Sequence, residues 1–173
     1  MKKRYTVPVA ALLSFAVAGL AGAGPNRNFV THLTGAEEVP ARDTQAQGQA
    51  IFHLSPDADV LGYKLIVANI ENAFAAHIHC GAKGVNGPVG VTLFGGAPGG
   101  GRVDGNLARG TVTAPDPGNA CGWTTLDAVI AATEAGNTYV NVHTNDGVAP
   151  PNTGPGDFPG GEIRGQIGPN ESH

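Results

Sequence analysis

Along most of the chain, apolar and polar residues alternate in short runs separated by clusters of glycine, proline, asparagine and aspartate. A period of two is the signature of a strand with one buried face. Asn28–Thr34 alternates up to Gly35 and predicts a first strand, with His32 out of phase with Phe29, Thr31 and Leu33 and therefore exposed. Gly48–Leu54 predicts a second, with Ala50, Phe52 and Leu54 inward and Ile51 and His53 outward. The turn Ser55–Asp59 leads into Val60–Val67, which pairs back as a hairpin. Further strands are expected at Phe74–Cys80, Val89–Phe94, Ala108–Thr113, Asn137–Thr144 and Glu162–Ile167.

One segment has helical spacing. Within Thr125–Ala135, Leu126, Val129 and Ile130 share a face, Thr124 or Thr125 can cap the start, and Gly136 ends it. The connections differ in character. Ala36–Pro40 is polar and ends in a proline, so Glu37 and Glu38 read as solvated loop carboxylates, with cation ligation as the rival role. Gly95–Gly101 is low in complexity and expected to be mobile. Asn145–Gly161 is long and rich in proline and glycine, and could cover a site next to His143 or be disordered. Gly81–Pro88 has the glycines of a phosphate loop but no Gly-Lys-Ser/Thr ending and no helix after it. Many short strands with one short helix imply a single all-β domain, an antiparallel Greek-key sandwich or barrel.

The first residues alter where this domain is expected to work. Lys2, Lys3 and Arg4 precede an apolar run, Val7–Leu20, which ends in Ala21-Gly22-Ala23. That is the layout of a cleaved export signal over residues 1–23, too short for a comfortable membrane span. Cleavage after Ala23 leaves a periplasmic or secreted chain of 150 residues, 24–173. The signal removes three basic residues, so seven basic face fourteen acidic side chains, a net charge of −7. No basic patch remains to bind nucleic acid, and an acidic surface attracts cations.

Candidate chemistry centres on Ala76-His-Ile-His-Cys-Gly81. On a strand, His77 and His79 point to one face and Ile78 to the other. Two neutral imidazoles side by side form half of a site for Cu, Zn, Fe or Ni; two polar residues on a solvated face are the simpler alternative. His143, on a later strand with Tyr139 and Asn141, offers a third imidazole. The two cysteines, Cys80 and Cys121, read as one disulfide in an oxidising compartment, worth about 4 kcal/mol by chain entropy. The rival is Cys80 as a soft ligand beside the histidines. Hydrolytic motifs are absent: there is no Gly-x-Ser-x-Gly and no His-Glu-x-x-His.

Four segments in order, Leu33-Thr-Gly-Ala-Glu-Glu-Val-Pro40, Ala76–Gly81 with Asn86-Gly-Pro-Val89, Tyr139-Val-Asn-Val-His-Thr144 and Pro159-Gly-Gly-Glu-Ile-Arg-Gly-Gln166, resemble the CHRD (chordin) domain family over about residues 28–168. The resemblance implies an all-β, extracytoplasmic domain in which the histidines of the two central motifs come together. The arrangement also looks like that of Cu/Zn superoxide dismutases, by architecture and not by sequence. By that analogy His77, His79 and His143 are copper ligands, Cys80 and Cys121 form the brace, and Arg164 guides the anion. An ion pair with Glu162 is the alternative for Arg164. His53 is the best candidate for a fourth ligand, ahead of His32, while His173 could bind metal adventitiously. The dismutase zinc cluster has no counterpart, so such a site would hold copper alone, with zinc as the alternative metal.

The expected function is therefore copper binding outside the cytoplasm with superoxide dismutase-like activity. The alternatives are metal sequestration without turnover and a protein-binding module of the cell envelope.

Overall fold

The computed structural model describes residues 28–169. The export signal expected over 1–23, the expected mature start at Gly24, and His173 lie outside the described residues. The strands follow the predicted order: β1 (Asn28–Thr34), β2 (Gln47–Leu54), β3 (Leu61–Glu71), β4 (Ala73–Cys80), β5 (Val89–Gly95), β6 (Arg102–Val112), β7 (Thr138–Thr144), β8 (Ile163–Gln166) and the short β9 (Gly168–Pro169), with helix α1 (Leu126–Glu134) before β7. Their spatial order is β5-β4-β7-β8-β1-β2-β3-β6, with β9 beside β1, and all pairings are antiparallel. Successive strands β3 and β4 are not neighbours in the sheet. Asn72, the one residue between them, has a φ of 53°, a left-handed conformation that asparagine tolerates, and turns the chain from one half of the sheet to the other.

The alternation read from the sequence sets the core. Ala50, Phe52 and Leu54 of β2, Leu61, Leu65 and Val67 of β3, Ala76 and Ile78 of β4, and Val140 and Val142 of β7 are all buried in one cluster. Leu126, Val129 and Ile130 of α1 join it. Thr125 caps the helix by accepting from Ala128 N at 3.3 Å, and Gly136 follows its end with a φ of 70°.

The two ends of the strand path, β5 and β6, lie against each other and nearly close a barrel. Tyr63 on β3 bridges the seam, its hydroxyl donating to Leu93 O on β5 at 2.6 Å. It passes over Gly110 of β6, where a Cβ would stand 2.9 Å from the phenol oxygen. Tyr63→Phe should therefore cost about 1 kcal/mol in urea unfolding, with faster amide exchange on β5. Unchanged exchange there would show that the seam is held by other contacts.

Two expectations are corrected here. β6 starts at Arg102, not Ala108, and its pairing with β3 shifts register at Leu65/Ile66 and Val67/Ile70. Gly105, with a φ of 108°, sits within this bulged, polar edge strand, which therefore lacks the alternation that marks the others. The glycine-rich 95–101 segment is pinned, since Gly99 N–H donates to Asn145 O and Asn72 N–H to Gly101 O. The expected disulfide is present: Cys80 is bonded to Cys121, which leaves no thiolate to act as a ligand. No helix among the described residues is long and apolar enough to cross a membrane.

Candidate metal centre

Because Ala76 and Ile78 take the core side of β4, His77 and His79 take the other; on β7, Tyr139, Asn141 and His143 do the same. Register places His77 opposite Asn141, His79 opposite Tyr139, and Ala75 opposite His143. This second face is not solvated. His79 is 7% exposed, His143 9%, Asn141 3% and Tyr139 2%, while His77 is half-buried. The cover comes from Gly35–Arg42, the 81–88 loop and the end of the 145–161 loop, so the long loop's last turns act as a lid. Gly161 makes the close cover possible: a Cβ there would stand 2.3 Å from Asn141 Nδ2, and its φ of 126° disfavours any other residue.

The structure brings His77, His79 and His143 together, with one nitrogen of each within 4.8 Å of the others. Backbone carbonyls orient two of the rings. His79 Nδ1 lies 2.9 Å from Gly87 O, and His143 Nδ1 lies 2.9 Å from Pro159 O. Each Nδ1 must carry the proton to make these bonds, which leaves each Nε2 unprotonated, with a lone pair that can accept or ligate. His143 Nε2 is 3.1 Å from His77 Nδ1, which then donates. His79 Nε2 is buried with no hydrogen-bond partner. Burial and the neighbouring imidazoles pull His77 down to about 4, and burial likewise holds His79 at about 4 and lowers His143. Three neutral imidazoles with oriented lone pairs fit a borderline transition metal.

Arg164 lies one strand further on, opposite Asn141 on β8. It is 1% exposed, with its guanidinium 3.4 Å from the Tyr139 ring centroid. It donates to Val85 O at 2.8 Å, Asn86 Oδ1 at 3.0 Å and Ala82 O at 3.4 Å. The expected anion-guiding position is thus replaced by a buried clamp on the 81–88 loop. Glu162 is not its partner, since that carboxylate accepts from Thr44, Thr144 and Gly156 N–H. Tyr139 in turn stacks on His79, with centroids 4.8 Å apart and planes 11° apart.

His53 does not join the cluster. It faces outward on β2, exposed, with Nδ1 2.6 Å from Asn28 Oδ1, because Phe52 and Leu54 take the inward side. Of the paired glutamates, Glu37 meets Lys83 at 3.2 Å. Glu38 corrects the solvated-loop expectation: it is 6% exposed, accepts from Asn141 Nδ2 at 2.8 Å, and is pushed up to about 7 by burial, against the pull of Arg164 and Arg42. Asp116, in the 113–125 connection, was not legible as a neighbour of His77; only its place between the disulfide and β6 hinted at it.

A sequence model of the CHRD domain matches residues 29–167, nearly all of the described chain. The chain belongs to the CHRD family. No curated protein and no solved structure matches it. In this CHRD domain His77, His79 and His143 fall in two of the motifs that carry the family resemblance, Ala76–Gly81 and Tyr139–Thr144, and Arg164 falls in a third, Pro159–Gln166. The motif at 33–40 ends β1 and supplies the covering Glu38.

Proposed function

We propose that this CHRD domain is an extracytoplasmic copper-binding protein, the ion being held by His77, His79 and His143, with one-electron chemistry toward superoxide as its activity. The carrying observation is His79 Nε2, buried without a partner beside two further imidazoles. Leaving such a group unpaired costs about 1–3 kcal/mol, a cost that a bound ion removes. Copper is favoured because it binds nitrogen sites more tightly than the other divalent first-row metals, zinc included. When bound, copper supplies reversible one-electron transfer. Gly87 O and Pro159 O hold two imidazoles in the ligating tautomer, and half-buried His77 forms the edge open to a small molecule. Among the described residues no second such cluster occurs, which fits a copper-only site. The disulfide and the export-like N-terminal sequence support a periplasmic or secreted location.

Sequestration without turnover is the second reading, favoured by the deep enclosure of His79 and His143. Titration of the folded protein with copper ions, followed by EPR, tests the binding. The expected result is one Cu(II) per chain with nitrogen hyperfine structure, lost in a His77→Ala/His79→Ala variant. Copper binding that survives the double substitution, or no binding at all, overturns the metal reading and directs attention to a protein partner. A superoxide assay on the loaded protein then separates turnover from sequestration.

A further inference from the structure

The connection between β6 and α1 brings a carboxylate to the open edge of the histidine cluster. Thr92 on β5 is the register partner of His77 on β4. Its hydroxyl donates to Asp116 Oδ2 at 2.7 Å, while Asp116 N–H donates to Gly90 O at 2.9 Å. The segment is held in several ways at once. Asn119 Nδ2 donates to Asp116 O at 2.9 Å and to Trp123 O at 2.7 Å. The Trp123 ring fills the space over Gly90, where a Cβ would lie 2.1 Å from it, and Cys121 is bonded to Cys80 next to His79. Asp116 and His77 are both half-buried.

Among the described residues, Asp116 has no cationic partner. The ion pairs among the described residues are Lys83 with Glu37 and Arg102 with Asp104. Its carboxylate is nonetheless placed at the site, since it accepts from Thr92, the residue paired directly across from His77. Three neutral imidazoles therefore sit beside one fixed, uncompensated negative charge.

We propose that Asp116 is a positioning residue of the metal site, a carboxylate fixed by Thr92 beside His77 that offsets the charge of a bound cation and favours a divalent over a monovalent ion. This rests on the metal-binding reading above. The Coulomb energy scales with the charge of the ion, so Cu(II) gains twice what Cu(I) gains from the same carboxylate. If Asp116→Asn weakens Cu(II) about tenfold, Cu(I) should weaken only about threefold. The remaining factor of about three corresponds to a reduction potential higher by roughly 30 mV, at 59 mV per tenfold for one electron.

The test uses the folded, disulfide-intact protein and copper ions alone. Cu(II) and Cu(I) affinities are measured by chelator competition, and the potential by redox titration, for the parent, Asp116→Asn and Asp57→Asn. Asparagine at 116 can still accept from Thr92, so the connection should stay in place. Asp57, in the exposed turn between β2 and β3, controls for net charge. Support is a tenfold loss for Cu(II), a smaller loss for Cu(I) and a raised potential in Asp116→Asn alone. Equal affinities and potentials in all three, with copper still bound, overturn the role of Asp116 and leave the histidine site standing. Equal losses in both variants reduce the effect to net charge and also overturn it. Absence of copper binding in the parent overturns both this role and the site.

Discussion

Arg164→Met is expected to destabilise the domain by roughly 3 kcal/mol, since hydrogen bonds made by a charged group contribute about 1.5–3 kcal/mol each and are only partly additive. Methionine fills much of the volume but donates nothing, so Val85 O, Ala82 O and Asn86 Oδ1 lose their common donor. Glu38 loses the stronger of the two positive influences, Arg164 and Arg42, that favour its ionised form. Arg164→Lys should recover only part of the loss, because an ammonium is a point charge and cannot both lie flat on Tyr139 and fork between three acceptors. The effect should extend to copper. Gly87 O, which orients His79, belongs to the loop that Arg164 clamps, and loss of such outer support typically weakens metal binding about 10–100-fold. Urea unfolding of the metal-free variants and chelator competition measure the two effects. A variant as stable as the parent, with only its superoxide rate reduced, would return Arg164 to the anion-guiding position.

Acidification of the metal-free protein is the second large effect. His77 and His79 fall from 6.5 when unfolded to about 4 when folded. Between those values the unfolded chain binds protons that the folded one refuses. Stability from these groups is therefore present above pH 6.5 and is lost as pH falls toward 4, by on the order of 3 kcal/mol for His79 and about half that for half-buried His77, whose charge water screens. His143, lowered by burial, acts in the same direction. Glu38 opposes them. Raised from 4.5 to about 7, it holds a proton in the folded state that the unfolded chain has released, so its stabilisation is present below pH 4.5 and is lost as pH rises to 7. The histidines outnumber it, and the net expectation is a loss of roughly 2 kcal/mol from pH 7 to 4. Glu38→Gln removes the opposing contribution and should roughly double that loss. Denaturant midpoints across this range, with chelator present, are the measurement. A flat profile in both proteins would mean that the imidazoles are not shielded from water.

Much of this architecture is legible as alternation. The phase of Phe52 and Leu54 places His53 outside, and the phase of Val140 and Val142 puts His143 with Tyr139 and Asn141. The pattern could not reveal that their shared face is covered, since the cover consists of turns whose polar residues look solvated. Glu38 is the clearest case: beside Glu37 in a loop it reads as exposed, and only the fold presents Asn141 to it. Arg164 shows the same limit, because a strand residue's neighbours on the next strand and in the loop above depend on register. Asp116 reaches His77 through Thr92, a partner set by the bulged pairing of β4 and β5 that periodicity does not encode.

The first strand is flanked by the last parts of the domain. Thr34 pairs with Arg164, and Phe29 with Pro169. β1 thus cannot obtain its second neighbour until nearly the whole domain has been made available. Such high contact order slows folding, because distant segments must meet before their contacts stabilise anything. Under the proposed export, slowness is an advantage: a partly delivered chain stays extended, and the sheet is completed only after its final strand has arrived.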